Sequence, residues 1–156
     1  MGTHVSSQSA ASPLAKELLD EFVAEIAGLL PDGFDATRSG PLDAKEMTPP
    51  TGDFLLLFDD DSGDAIGCGG LRPLNEGQLE IKRMFVSPRF RGGGFGSELL
   101  HALEHRAREL GAREVLLDTH AILTPAITMY ERAGYIECEP YNENPYASKW
   151  FKKVLS

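Results

Sequence analysis

Three groups of residues in this chain are spaced so that they could do chemistry. The first is Arg91-Gly92-Gly93-Gly94-Phe95-Gly96, directly ahead of an apolar stripe at helical spacing. Glycines let successive backbone N–H groups converge on an anion without interference from Cβ, and a helix N-terminus adds a favourable dipole. A phosphate or pyrophosphate suits such a loop, with Arg91 adding fixed charge and Arg89 close by. The second group is the histidines. His101 and His105, four apart on one helix, share a face but bring no third ligand, so they read as an exposed face. His120 follows a strand and is either a base or a cap on the strand end. The third group is Asp59, Asp60, Asp61 and Asp64, which crowd one turn without the spacing or distal glutamate of a calcium loop and read as a solvated turn.

Two familiar phosphate motifs fail on inspection. A P-loop needs Gly-Lys-Ser/Thr at its end, and no lysine follows these glycines. In a dinucleotide-binding fingerprint the third glycine would fall at Ser97, and Ser87-Pro88-Arg89-Phe90-Arg91 separates Val86 from the glycines where that turn is tight.

The elements that position this loop follow from periodicity. Leu14, Leu18, Phe22, Ile26, Leu29 and Leu30 recur at helical spacing, with Ser12 as N-cap and Pro13 at the first helical position. Residues 1–12 are expected as a flexible tail or, at most, a short edge strand. Phe54–Phe58 and Ala65–Leu71 form a hairpin, and Gln78–Val86 a third strand. A helix from Ser97 to Leu110 carries the stripe Leu99, Leu100, Leu103, Ala107 and Leu110, and Gly111 stops it. Glu114–Thr119 is a strand buried on both faces. A short helix over Pro125–Ala133 and two strands, Tyr135–Glu139 and Lys149–Leu155, complete the chain. An antiparallel meander feeding one strand–helix–strand crossover predicts a mixed α/β sheet in a single domain over residues 13–156.

Composition narrows the function classes. With 156 residues, 42% hydrophobic and 25% charged, the chain reads as one soluble globular domain. Its longest apolar run, Phe54–Phe58, is far short of a membrane span, and the N-terminus lacks the pattern of a secretory signal, so a cytoplasmic setting is expected. Cys68 and Cys138 are too few for a disulfide scaffold and lack metal-site spacing, and Cys68 reads as a small core residue. A net charge of −9 argues against nucleic acid as a partner. Residues 82–113 nevertheless hold seven basic and three acidic side chains, a local positive island suited to a compact anionic ligand.

Arg91 to Gly96 also matches R/Q-x-x-G-x-G/A, five residues after a strand and opening a helix. It resembles motif A of the general-control-related N-acetyltransferase (GNAT) superfamily. Glu80-Ile81-Lys82-Arg83-Met84-Phe85-Val86-Ser87-Pro88 is similar to the strand that precedes that loop. Ala126, Tyr130, Gly134 and Tyr135 match the A-x-x-x-Y-x-x-x-G-F/Y segment of motif B. The resemblance spans roughly residues 53–137. It implies a largely antiparallel central sheet with a V-shaped splay between the motif A strand and the next parallel strand, flanked by helices.

The resemblance further implies transfer of an acetyl group from acetyl-CoA to a primary amine of a small molecule or protein. A non-catalytic acyl-CoA-binding domain is the alternative. It assigns the pantetheine arm to strand groups at Met84, Phe85 and Val86, with the Val86 N–H facing the thioester carbonyl. It assigns the pyrophosphate to Arg91, Gly92, Gly93, Gly94, Phe95, Gly96 and Ser97. Many members carry asparagine where this chain has Leu123, and Thr124 is the expected substitute contact. Glu80 is the expected general base, with an ordinary pairing to Lys82 as the competing reading, and Tyr130 the expected acid at the sulfur. Homodimers are common among such domains. Tyr141, Asn142, Tyr146 and Trp150 cluster near the last strands, as a substrate wall or as sheet packing.

Overall fold

The computed structural model describes residues 2–36 and 44–155. In chain order these form β1 (Thr3–Ser7), α1 (Pro13–Leu29), β2 (Asp53–Asp59), β3 (Ala65–Pro73), β4 (Gln78–Val86), α2 (Phe95–Glu109), β5 (Glu114–Thr119), α3 (Thr124–Arg132), β6 (Ile136–Cys138) and β7 (Lys149–Val154). The strands make one sheet in the order β1-β2-β3-β4-β5-β7-β6. Every neighbouring pair is antiparallel except β4 and β5, which run parallel through the α2 crossover. Among the described residues no helix is long and apolar enough to cross a membrane.

Side-chain alternation on the central strands divides the core in two. Leu55 and Leu57 of β2, Ile66 of β3 and Val115 and Leu117 of β5 face α2, where they pack with Leu99, Leu100 and Leu103. Phe54, Leu56, Cys68 and Phe85 face the other way, against Leu18 and Leu19 of α1. Successive strand residues point to opposite faces, so one unbroken apolar run supplies both layers. Each fully buried leucine contributes about 1.5–3 kcal/mol. Leu103→Ala, at the centre of the α2 face, would cost about 2–5 kcal/mol. Ser12 caps α1 by accepting a hydrogen bond from the Ala15 N–H at 3.3 Å, as its position in the sequence suggests.

Of the two readings of the N-terminus, residues 3–7 take the short edge strand: Thr3 to Ser7 pair with Asp59 to Leu55 of β2, and two other boundaries differ from expectation. Main-chain bonds hold this strand, extended by Asp60 N–H to the Gly2 carbonyl at 2.9 Å, so Ser-rich side chains carry no sign of it. Helix α2 starts at Phe95, not Ser97, because Gly94 in the left-handed region (φ 82°) is its N-cap. β6 starts at Ile136 because the Tyr135 N–H closes the α3 terminus on the Tyr130 carbonyl at 3.0 Å. Residues 34–52, where Gly40-Pro41 and Pro49-Pro50 predict a loop with one helical turn at most, lie partly outside the described residues.

Candidate active site

β4 and β5 pair only at Gln78–Glu114, Leu79–Val115 and Glu80–Leu116. Beyond Glu80 they part, and the cause is local. Between the pairs Gly70–Lys82 and Cys68–Phe85, β4 takes three steps where β3 takes two. The extra residue is a bulge at Arg83, which sits at φ 55°, and a bulge bends its strand and increases its twist. β5 meanwhile pairs along its whole length with β7. The splay opens a cleft of about 570 Å³ between the two strands, α1 and the start of α3.

One edge of β4 faces this opening. The Ser87 N–H donates to the Ile66 carbonyl at 2.8 Å, which makes Gly67–Val86 a non-hydrogen-bonded pair. The Val86 N–H and C=O therefore point away from β3, toward the cleft. Arg91 confirms the direction, since its Nε donates to the Val86 carbonyl at 3.1 Å. Phe85, one residue earlier, turns its backbone to β3 and meets the cleft with its ring.

The glycine loop closes one end. Gly92 and Gly94 both adopt positive φ, 89° and 82°, a region that a Cβ makes costly. No side chain caps α2 at Gly94. The first intrahelical bond is Glu98 N–H to the Gly94 carbonyl at 3.1 Å, so the N–H groups of Phe95, Gly96 and Ser97 precede any helical acceptor. An uncapped helix start behind two left-handed glycines fits a pyrophosphate, and acetyl-CoA carries one. Gly92, Gly94, Phe95 and Gly96 line the cleft, whereas Gly93, Ser97 and Thr124 do not. Arg91 is folded inward: Nη2 bonds Glu25 of α1 at 2.7 Å, and its guanidinium lies 5.5 Å from the Phe85 ring centre.

Glu80 is positioned differently from its expected role. Its side chain is 1% exposed and does not line the cleft. Arg72 Nη1 donates to Oε1 at 3.0 Å, the Tyr141 hydroxyl to Oε2 at 2.7 Å, and Asn142 Nδ2 to Oε2 at 3.3 Å. Lys82 Nζ stands 3.9 Å away, so the pairing weighed from sequence is present within a larger network. Burial, followed by the Glu80 charge, holds the Tyr141 hydroxyl well above its ordinary pKa, so it stays a donor.

Two carboxylates line the cleft: Glu25 of α1, which is bonded to Arg91, and Asp118 of β5, two residues past the last β4–β5 pair. Asn142 Nδ2 donates to Asp118 Oδ2 at 2.5 Å and Asn144 Nδ2 to Asp118 Oδ1 at 3.2 Å. Trp150 Nε1 donates to Asn142 Oδ1 at 2.9 Å and so fixes which way that amide points. Asn142 thus links Glu80 to Asp118. Each Asp118 oxygen retains acceptor capacity toward the opening. Tyr130 is buried and lines the cleft; burial, then the charge of Asp118, pushes its hydroxyl up to about 12. His120 also lines the cleft, but its Nδ1 accepts from the Ile122 N–H at 3.0 Å, the capping reading.

Opposite the glycine loop the cleft is aromatic and charged. Phe22 and Phe34 lie 6.2 Å apart edge to face, and Phe34 and Tyr146 4.7 Å. Arg83 stands over Phe22 at 5.7 Å and donates from Nη2 to the Ala36 carbonyl at 3.2 Å. Burial pulls Arg83 below its ordinary pKa and the charge of Asp118 opposes that. Sequence reasoning passed over Asp118, Arg83, Phe34 and Asn144 as site residues. The one available signal was a Lys82-Arg83 pair between the apolar residues Ile81 and Met84 of β4.

Comparison with known proteins agrees with this fold. The family model described as "Acetyltransferase (GNAT) family" matches residues 14–135. An IAA acetyltransferase of Azospirillum brasilense is 33% identical over 136 residues, 86% of each chain. Among solved structures, a GNAT-family acetyltransferase from Staphylococcus aureus superposes with a TM-score of 0.81 at 19% identity, covering 99% of this chain and 100% of that one. A GNAT-family acetyltransferase from Elizabethkingia anophelis, solved with acetyl-CoA bound, gives 0.69 at 20% identity over 98% of both.

Proposed function

This chain belongs to the acetyltransferase (GNAT) family and is an acyltransferase that draws on acetyl-CoA; from that premise we propose that Asp118 receives the proton of a primary amine and Tyr130 assists the departing sulfur. The observation that carries the reading is the end of β4–β5 pairing at Glu80 and Leu116, with the Val86 N–H turned into the opening.

Acetyl-CoA supplies a thioester carbonyl that a neutral amine attacks directly, forming the N–C bond as the C–S bond breaks. The chain's own groups do the rest. The amides of the glycine loop, with Ser97 at its margin, and Arg91 hold the pyrophosphate, and Thr124 stands on the side of the cofactor arm. The Val86 N–H offers a preorganised donor to the carbonyl oxygen, the kind of group worth several kcal/mol where charge develops. Met84 and Phe85 flank the pantetheine arm. A primary alkylamine is mostly protonated at neutral pH, since its pKa is about 10.4. Asp118 holds the ammonium by charge and takes its proton, with Asn142 and Asn144 fixing the carboxylate. Glu80, bound on both oxygens, acts as a positioning residue through Asn142. Tyr130 stays protonated well above neutral pH and donates to the sulfur as it leaves with the C–S electron pair. A cytoplasmic setting belongs to the same reading: Cys68 and Cys138 are free thiols, as a reducing compartment keeps them.

A panel of amines, followed by release of free thiol from acetyl-CoA, tests this. Asp118→Asn should lower kcat by about 10²–10⁴-fold, the usual contribution of a positioned base, with CoA affinity retained in calorimetry. Glu80→Gln should lower kcat less. A wild-type rate in Asp118→Asn removes the base assignment. CoA binding without thiol release for any amine favours the non-catalytic acyl-CoA-binding alternative.

A further inference from the structure

Arg83 and Asp118 line one cleft with opposite charges, and the hydrogen bonds of each go to other groups. Each is held back by other groups. Arg83 is tied to the Ala36 carbonyl through Nη2 and rests over Phe22, while its buried Nε has no acceptor among the described residues. Asp118 is tied by two asparagine amides, one of them locked by Trp150. A fixed cation and a fixed anion, separated within one cavity, complement a ligand that carries both charges. Beside them Phe22, Phe34 and Tyr146 form an apolar wall.

We propose that the acceptor is a free α-amino acid with an apolar or aromatic side chain. Its carboxylate lies on the Arg83 guanidinium, its amino group on Asp118 and its side chain against the aromatic wall. A planar guanidinium is the side chain best shaped for a carboxylate. Transfer forms the bond between the amino nitrogen and the acetyl carbon and breaks the carbon–sulfur bond. Starting from the ammonium, one proton leaves by way of Asp118 before attack. The second proton lost by nitrogen on amide formation balances the one gained by the sulfur, and one free CoA thiol appears for each N-acetyl amino acid. This rests on the acetyltransferase reading above.

The test compares L-phenylalanine, L-leucine and L-methionine with L-phenylalaninamide and phenethylamine, which keep the amine but lack the carboxylate. Thiol release should favour at least one amino acid over both controls by tenfold or more in kcat/KM. Calorimetry on the CoA-loaded protein should show that amino acid binding and phenethylamine binding much more weakly. Arg83→Gln should raise the amino acid's KM by about 10–100-fold, as expected on losing a charge-assisted bond, and bring the preference within threefold, with CoA affinity retained. Arg83→Lys, which keeps the charge on the same backbone, should recover part of the preference. Turnover of phenethylamine or the amide at least as fast as every amino acid overturns this inference alone. Equal loss for all acceptors in Arg83→Gln does the same. Absence of turnover for every amine, with CoA still bound, overturns the catalytic reading and this inference with it.

Discussion

Arg91 is asked to bind a pyrophosphate, yet it is folded onto Glu25, so the two partners compete for one guanidinium. The perturbation that exposes this is Glu25→Gln. The pair is close, 2.7 Å, but partly exposed, 46% at Arg91 and 24% at Glu25. Screened pairs of this kind are worth about 0.2–1 kcal/mol, and that much is lost whenever Arg91 turns to phosphate. Removing the competitor should therefore tighten CoA binding by about 1.4- to 5-fold. Arg91→Ala should weaken it by about 10- to 150-fold, from the loss of a charge-assisted bond worth about 1.5–3 kcal/mol. In the Arg91→Ala background Glu25→Gln should gain less, because only repulsion between Glu25 and the phosphates remains, and salt damps that beyond about 8 Å at 0.15 M. Isothermal titration of CoA into the four proteins of this cycle, at two salt concentrations, measures all the terms. Were Glu25 instead the group that presents Arg91 to the phosphate, Glu25→Gln would loosen CoA. That sign, or equal gains in both backgrounds, refutes the competition.

Two other consequences can be checked directly. Tyr130→Phe should lower kcat by about 10- to 10³-fold, the range of a positioned acid, and leave CoA affinity in place; an unaltered rate returns Tyr130 to packing against Tyr135 and Phe151. Burial, then the Glu21 charge, pushes the Cys68 thiol from 9.0 up to about 12. A raised native pKa contributes stability that is complete below the unfolded value and lost as pH rises through the native one. The urea midpoint should hold to about pH 9 and then fall toward pH 12, and Cys68→Ala should flatten the first part of that fall. Equal slopes in the two proteins refute it.

Much of the scaffold was legible because its causes are short-range. A cap is decided within three residues, as Ser12 and Ala15 show, and a glycine loop declares its backbone freedom in its own letters. Helix faces follow from a period of 3.6, and β5 fell where its continuous apolar centre, Val115 to Leu117, put it. Boundaries moved where main-chain geometry decided them: Gly94 in the left-handed region started α2 early, and backbone pairing alone made β1 from a serine-rich stretch.

What the chain alone determined is one end of the site: a glycine-rich loop opening a helix, and the tyrosine four residues after Ala126. What only tertiary structure decided is which carboxylate meets the cleft. Tyr141 and Asn142 reach Glu80 from 61 and 62 residues away, and Asn142 reaches Asp118 from 24. Those contacts saturate one acid inside the sheet and hold the other at its open edge. Side-chain type cannot express that difference, because whether a carboxylate is free to take a proton depends on neighbours that only folding brings to it.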